Sequence, residues 1–276
     1  MKNSLQNWVN SLELQENDVV FFAANLSGMA KKLKLNGEDF SVDLFIDTFQ
    51  KAIPNGTLVI PAYTDHLRAG DTFDREKSKP TTGAISNKVQ RRKDFKRTAD
   101  PLHSVFVWGE KTDEILALED ESTFGKQTIF GFLHRENAKM IIIDEHFQNC
   151  FTFVHYVEEQ NKVNYRKYFH FKVNVILNGI AQLKDVLFYT KKIGVINDAM
   201  ELQELLLKNG TVAKKNFLDI DVQLMELDVA YDAIEKYLKE GGKVCHFSYF
   251  SWMKGLAKII LGKTQRKMLL YLILFF

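Results

Sequence analysis

The run Thr152-Phe153-Val154-His155-Tyr156-Val157-Glu158-Glu159 holds the side chains best suited to acid–base chemistry. If Thr152 caps a helix, His155, Glu158 and Glu159 fall at i, i+3 and i+4 on one face, where a carboxylate one turn along orients an imidazole and raises its basicity. The same spacing also describes a surface ion pair on an amphipathic helix, so this run alone leaves both readings open. A second group is Arg97-Thr98-Ala99-Asp100-Pro101-Leu102-His103-Ser104-Val105-Phe106-Val107-Trp108-Gly109. There a polar loop stiffened by Pro101 feeds His103 and Ser104 into the start of an apolar strand, and donors at a strand end point into the crevice where α/β proteins bind ligands. Its competing reading is a turn with two locally bonded polar side chains.

Other chemistries lack their residues. Cys150 precedes His155 by five positions with nothing to fix their geometry, and Cys245 stands apart, so inert thiols and a reducing compartment are expected. The seven histidines are scattered, without a His-Glu-x-x-His or a Cys-x-x-Cys, and no metal site is expected. Gly-x-x-x-x-Gly-Lys-Ser/Thr, Gly-x-Gly-x-x-Gly and Gly-x-Ser-x-Gly are also missing, which removes the usual support for P-loop, Rossmann and α/β-hydrolase readings.

The elements that must position His155 and His103 read as α/β. Asp18 to Ala24, Thr57 to Ile60 and Met140 to Ile143 are short apolar runs without alternation, as in strands covered on both faces. Phe40 to Ile53 has helical spacing and ends at the turn Pro54-Asn55-Gly56; Ala199 to Leu207 and Val229 to Leu238 are helical too. Phe169 to Leu177 alternates as an antiparallel strand does, so the expected fold is a layered α/β/α domain around a central mixed β-sheet. Thr64 to Ala99 is polar and aperiodic, the pattern of a functional or disordered loop. One domain over residues 1–262 and a tail over 263–276 are expected.

With 276 residues, 46% hydrophobic, and 37 Lys+Arg against 35 Asp+Glu, the chain is too apolar and too balanced for a disordered polymer. A net charge of +2 also argues against a dedicated nucleic-acid binder. The balance hides structure: residues 1–240 carry 31 basic and 35 acidic side chains, and no acidic residue follows Glu240. Asp74 to Arg97 holds nine basic and three acidic residues, a stretch suited to a phosphorylated ligand. The N-terminal residues lack the apolar run of a signal peptide and no stretch is long enough to span a bilayer, so a cytoplasmic protein is expected. Lys254, Lys258, Lys263, Arg266 and Lys267, with the apolar run Met268 to Phe276, suit peripheral membrane contact, or equally packing on the core or on a second copy in a homodimer.

Taken in order, several segments resemble the aminoglycoside 3-N-acetyltransferase family. Gly56-Thr57-Leu58-Val59-Ile60-Pro61-Ala62-Tyr63-Thr64 resembles its Gly-Thr-Leu-Val-x-Pro-x-Tyr-Thr strand and loop. Phe73-Asp74, Thr81 to Ile85, Arg97 to Gly109, Phe124-Gly125 and Gly131-Phe132-Leu133 follow, and Thr152-x-x-His155-x-x-Glu158 with Tyr165-Arg166 resembles its Thr-x-x-His-x-x-Glu block. Two places depart: Asp100-Pro101 stands for a His-Pro pair, and Ala23-Ala24-Asn25-Leu26-Ser27 for a serine-rich loop. The resemblance implies transfer of an acetyl or other acyl group from acyl-CoA to a sugar-borne amine, with His155 as base and Glu158 orienting it. It further implies that Asn25, Leu26, Ser27, Tyr63, Thr64, His103 and Ser104 hold acetyl-CoA, and that Asp65, Tyr165 and Arg166 meet the acceptor. A nucleotide-linked amino sugar destined for a surface glycan is the expected acceptor. The alternatives are an aminoglycoside antibiotic, or a catalytically inactive binding protein.

Overall fold

The computed structural model describes residues 4–260. Its strands are β1 (Val19–Ala24), β2 (Thr57–Pro61), β3 (Thr72–Asp74), β4 (Lys96–Arg97), β5 (Val105–Gly109), β6 (Lys139–Ile143), β7 (Arg166–Leu177), β8 (Ile180–Lys191), β9 (Val195–Asn197), β10 (Ala213–Phe217), β11 (Ile220–Glu226) and β12 (Cys245–Phe247). Seven of them form the central sheet in the order β10-β11-β6-β1-β2-β5-β4. β6, β1 and β2 run parallel, while β5, β4, β11 and β10 join antiparallel, so the sheet is mixed as its sequence pattern implies.

The apolar runs are explained by burial on both faces. Val19 and Phe21 of β1, Val59 of β2, and Met140 and Ile142 of β6 pack into one core with helices Ile129–Arg135, Phe153–Gln160, Met200–Lys208 and Leu227–Lys239. Their neighbours Val20, Phe22, Leu58, Ile60, Ile141 and Ile143 face the opposite core, beneath helices Ser4–Asn10, Ser27–Leu35, Val42–Ala52 and Ala84–Val89. Successive side chains of a strand point to opposite faces, so a strand in the middle layer must be apolar at every position. No helix among the described residues is long and apolar enough to cross a membrane. The tail expected over residues 263–276 lies outside the described residues.

A second sheet, β3-β7-β8, stands on the first. β7 and β8 form a hairpin of twelve residues a side, closed by Asn178-Gly179 with both φ positive (52° and 79°), the geometry of a two-residue type I′ turn. Phe171, Val173, Val175 and Val186 of the hairpin close a third, smaller core over Leu67, Phe73 and Leu102.

The segment expected as an irregular loop, Thr64 to Ala99, is instead ordered around Arg97. That guanidinium is 6% exposed; it donates to Ser104 Oγ (3.1 Å), to Ala62 O (2.7 Å) and to Ser78 O, and stacks between the rings of Phe73 and Phe106. Burial pushes its pKa down to about 10, which still leaves it cationic at neutral pH. Arg92 is likewise engaged, by Asp43, Asp47 and Asp94, and Lys88 pairs with Asp43. Much of the basic stretch therefore holds the fold together. Arg97→Met is expected to cost about 3 kcal/mol in urea unfolding, because two backbone carbonyls lose a charged donor. Arg97→Lys restores only part of that, since an ammonium cannot reproduce a fork that serves three acceptors.

Candidate active site

β6, β1 and β2 end at the same edge of the sheet, and β2 and β6 lie on opposite sides of β1. Such a switch point is where α/β sheets open a crevice. Antiparallel β5 begins at that edge, because Val105 pairs with Pro61. Residues just beyond β1, β2 and β6 and just before β5 are therefore brought together, although they span positions 25 to 155.

Two adjoining cavities occupy this edge. The larger, about 740 Å³, is lined by Asn25, Leu26 and Ser27 after β1, by Thr81 to Ser86, and by Cys150. The smaller, about 280 Å³, is lined by His103, Phe124, His155, Arg166, Phe188 and Lys191, among others. Tyr63, Asp65, Asn149 and Thr152 border both, so two ligands seated there would meet across this shared wall.

His155 stands on the helix Phe153–Gln160, one turn beyond Thr152, and its side chain is 22% exposed. Glu158, on the same helix and fully buried, places Oε2 2.6 Å from His155 Nδ1 and 2.7 Å from Nε of Arg166 at the start of β7. Burial alone would raise the Glu158 pKa, but His155 and Arg166 outweigh it and hold the carboxyl below its ordinary value. With Glu158 ionised, Nδ1–H donates to Oε2 and the lone pair is left on Nε2, which no group among the described residues engages. Arg166 Nη2 lies 2.8 Å from the same Nδ1; two donors cannot share a bond, so this contact acts as a like-charge influence. Burial and the Arg166 charge push the His155 pKa down, against the pull of Glu158, and the imidazole is neutral at pH 7.

Thr152 stands at the helix start, but its hydroxyl makes no capping bond and it borders both cavities instead. Glu159 does not share His155, because its Oε2 accepts from Ser122 Oγ (2.6 Å) on the other side of the helix. Asn25 is fixed by its own N–H donating to Ile143 O (2.9 Å), and its Oδ1 accepts from Ser27 N (3.1 Å). Tyr63 is buried with its hydroxyl beside that of Thr152, and burial raises its pKa, so it keeps its proton. Thr64 and Ser104 are absent from both linings: the Thr64 hydroxyl donates to Pro101 O, and Ser104 Oγ donates to Ala62 O (2.7 Å). His103 is 4% exposed, its pKa is pushed down to about 4 by burial, and it packs edge-on to Tyr63 and against Phe124. Asp100, the departure from a His-Pro pair, accepts from the N–H groups of Leu102 (2.7 Å) and His103 (2.8 Å) and so shapes the loop that carries His103. Tyr165 packs behind the site, outside both linings, with its hydroxyl buried beside Glu158 and the Val244 backbone. Burial pushes the Cys150 pKa up to about 12, which leaves an inert thiol. Among the described residues no three His, Cys, Asp or Glu side chains gather as metal ligands would.

Sequence reasoning missed Asn149, Lys191 and the aromatic wall of Phe124 and Phe188. Lys191 had a usable signal: the Asn178-Gly179 turn fixes the hairpin register and sets Lys191 directly opposite Arg166. For the aromatic pair the chain offers no comparable pattern.

The family model of aminoglycoside 3-N-acetyltransferases matches residues 33–239. The chain belongs to this family. It is an N-acetyltransferase by that membership. No curated protein sequence matches it significantly. Among solved structures, the YokD protein from Bacillus subtilis is similar with a TM-score of 0.70 at 17% identity, over 85% of this chain and 92% of that one. Aminoglycoside acetyltransferase AAC(3)-Xa has a TM-score of 0.74 at 13% identity, over 86% of this chain and 92% of that one. AAC-IIIb, solved as a binary complex with CoASH, has a TM-score of 0.71 at 15% identity, over 89% and 97%. At these identities the likeness is one of fold.

In the enzyme, His155 is expected to titrate below the ordinary histidine value of 6.5 and so to lose its base form only on acidification. Arg166→Gln removes a charge that opposes protonation and is expected to raise that midpoint. Nuclear magnetic resonance of the ring C2–H reads both, and a midpoint that falls in Arg166→Gln would refute the assignment.

Proposed function

We propose that the enzyme transfers an acetyl group from acetyl-CoA directly to the amino group of an amino sugar, with His155 as general base. The observation that carries this reading is the place of His155: it lines the smaller cavity one helical turn from Thr152, which borders both. Coenzyme A fits the larger cavity, whose size lies within the roughly 300–1,000 Å³ typical of ligand sites. Its lining joins Phe22, Leu26, Phe40 and Ile60 to Asn25, Ser27, Thr81 and Thr82 and, among the described residues, contains no lysine or arginine, which suits the pantetheine arm and acyl group. The phosphates of the coenzyme then lie beyond that lining. The acceptor enters the smaller cavity.

The acceptor nitrogen, relieved of a proton by His155 Nε2, attacks the thioester carbonyl; the N–C bond forms, the C–S bond breaks, and CoA leaves as the thiolate. Glu158 stabilises the imidazolium that forms, and Arg166 limits how basic it becomes, so the proton is readily given up again. Tyr63, protonated and on the shared wall beside Thr152, is placed to donate to the oxyanion. No acyl-enzyme is needed, in keeping with the inert Cys150.

The acceptor we favour is a single amino-sugar ring linked to a nucleotide, of the kind consumed in surface-glycan assembly. The smaller cavity, about 280 Å³, has room for the sugar ring alone, and its charge supports this reading, since among the described residues Asp65 is its only lining carboxylate beside Arg166 and Lys191. A polycationic antibiotic would call for several carboxylates at once. The second reading, aminoglycoside 3-N-acetylation, is favoured by the family itself and by a neighbour of like fold, AAC-VIa, bound to sisomicin. His155→Ala is expected to lower kcat by about 10²- to 10⁴-fold while CoA affinity by calorimetry holds; near wild-type turnover in that variant would remove His155 from the mechanism. Steady-state rates with a uridine-diphosphate-linked amino hexose and with sisomicin separate the acceptors, and turnover of sisomicin alone would reverse the preference.

A further inference from the structure

We propose that Lys191 is the specificity-determining residue of the smaller cavity, where its ammonium binds an anionic group carried by the acceptor. This deepens the reading above and rests on the smaller cavity being the acceptor site. Lys191 ends β8, directly opposite Arg166, and lines the smaller cavity without lining the larger. Its neighbour Arg166 is ion-paired with Glu158 at 2.7 Å, whereas among the described residues no carboxylate lies within ion-pair distance of Lys191. Three other partly covered lysines are paired with carboxylates, Lys139 with Asp18, Lys111 with Glu136 and Lys184 with Glu119, and Lys254 lies over the Phe250 ring. Lys191 is half-buried, and the loss of solvent lowers its pKa, a cost that a bound anion would offset.

The rest of the lining gives the acceptor a direction. Asp65 sits on the wall shared with the larger cavity, close to where the acyl group would arrive, and can receive an ammonium. Between Asp65 and Lys191 the lining is uncharged apart from Arg166: Phe124 and Phe188 are apolar, and His103 and His155 are both held neutral. An acceptor with an amine at one end and an anion at the other matches this distribution. A polycation would set one of its charges against Lys191 with no carboxylate to compensate. The shared chemistry is therefore an amine that also bears a phosphate or a carboxylate.

Calorimetry on the enzyme–CoA complex tests this without requiring turnover, using glucosamine, glucosamine 1-phosphate and muramic acid as anion-free, phosphate and carboxylate probes. The wild type is expected to bind at least one anionic probe about tenfold or more tightly than glucosamine. Lys191→Ala is expected to abolish that difference through loss of the anionic probe, and Lys191→Arg to keep most of it. Whichever anionic probe shows the effect identifies the group. Equal binding of anionic and anion-free probes by the wild type, no detectable binding of any, or an equal loss for all three in Lys191→Ala would each overturn the proposal. Turnover is followed separately: intact, Lys191-dependent binding with no acetylated product would break the transfer reading and leave Lys191 standing.

Discussion

The structure depends on one buried carboxylate. Glu158 is fully enclosed, and it is tolerated only because His155 and Arg166 approach it together, one from its own helix and one from the start of the hairpin. An ionised group so placed would otherwise be strongly destabilising. That electrostatic need does three things. It docks the β7–β8 hairpin against the helix Phe153–Gln160, it sets the imidazole tautomer so that Nε2 is the free nitrogen, and it balances a cation against an anion across one histidine. The chemistry of the site and the attachment of its second sheet are therefore the same interaction.

The central sheet supplies the other constraint. Because β6, β1 and β2 are parallel neighbours, the loops that follow them open on one edge, and the antiparallel β5 returns the chain there. Residues far apart in sequence thus share two cavities without any long structural element reaching across the protein. The partition follows from this: β1 and the Thr81 to Ser86 segment line one cavity, the hairpin base and His103 the other, and Tyr63, Asp65, Asn149 and Thr152 stand between.

Much of this was legible in the chain. Strands buried on both faces have no choice but to be apolar throughout, so β1, β2 and β6 declared themselves, and the i, i+3 spacing of His155 and Glu158 survives intact in the fold. What could not be read depended on partners distant in sequence. Glu159 looks equivalent to Glu158 on paper, yet Ser122 claims it. Thr64 and Ser104 look like ligand donors, yet backbone carbonyls of the neighbouring loops take both hydroxyls. The basic stretch before Arg97 resembles a phosphate site until Asp43, Asp47 and Asp94 come alongside Arg92. In each case a polar side chain was satisfied by a tertiary contact that local pattern does not encode.

The β7–β8 hairpin is one continuous segment, closed by its own two-residue turn and packed over its own small core, and it contributes Arg166, Phe188, Thr190 and Lys191 to the lining of the smaller cavity and no residue to that of the larger. The apparatus that would hold the acyl donor is thus written in one part of the gene and much of the recognition of the acceptor in another. Along that ribbon Arg166 is tied to Glu158 and His155, so substitutions beyond it are the ones that would retune what is acetylated without disturbing how. A family built on this plan can diversify its acceptors at low risk to its chemistry.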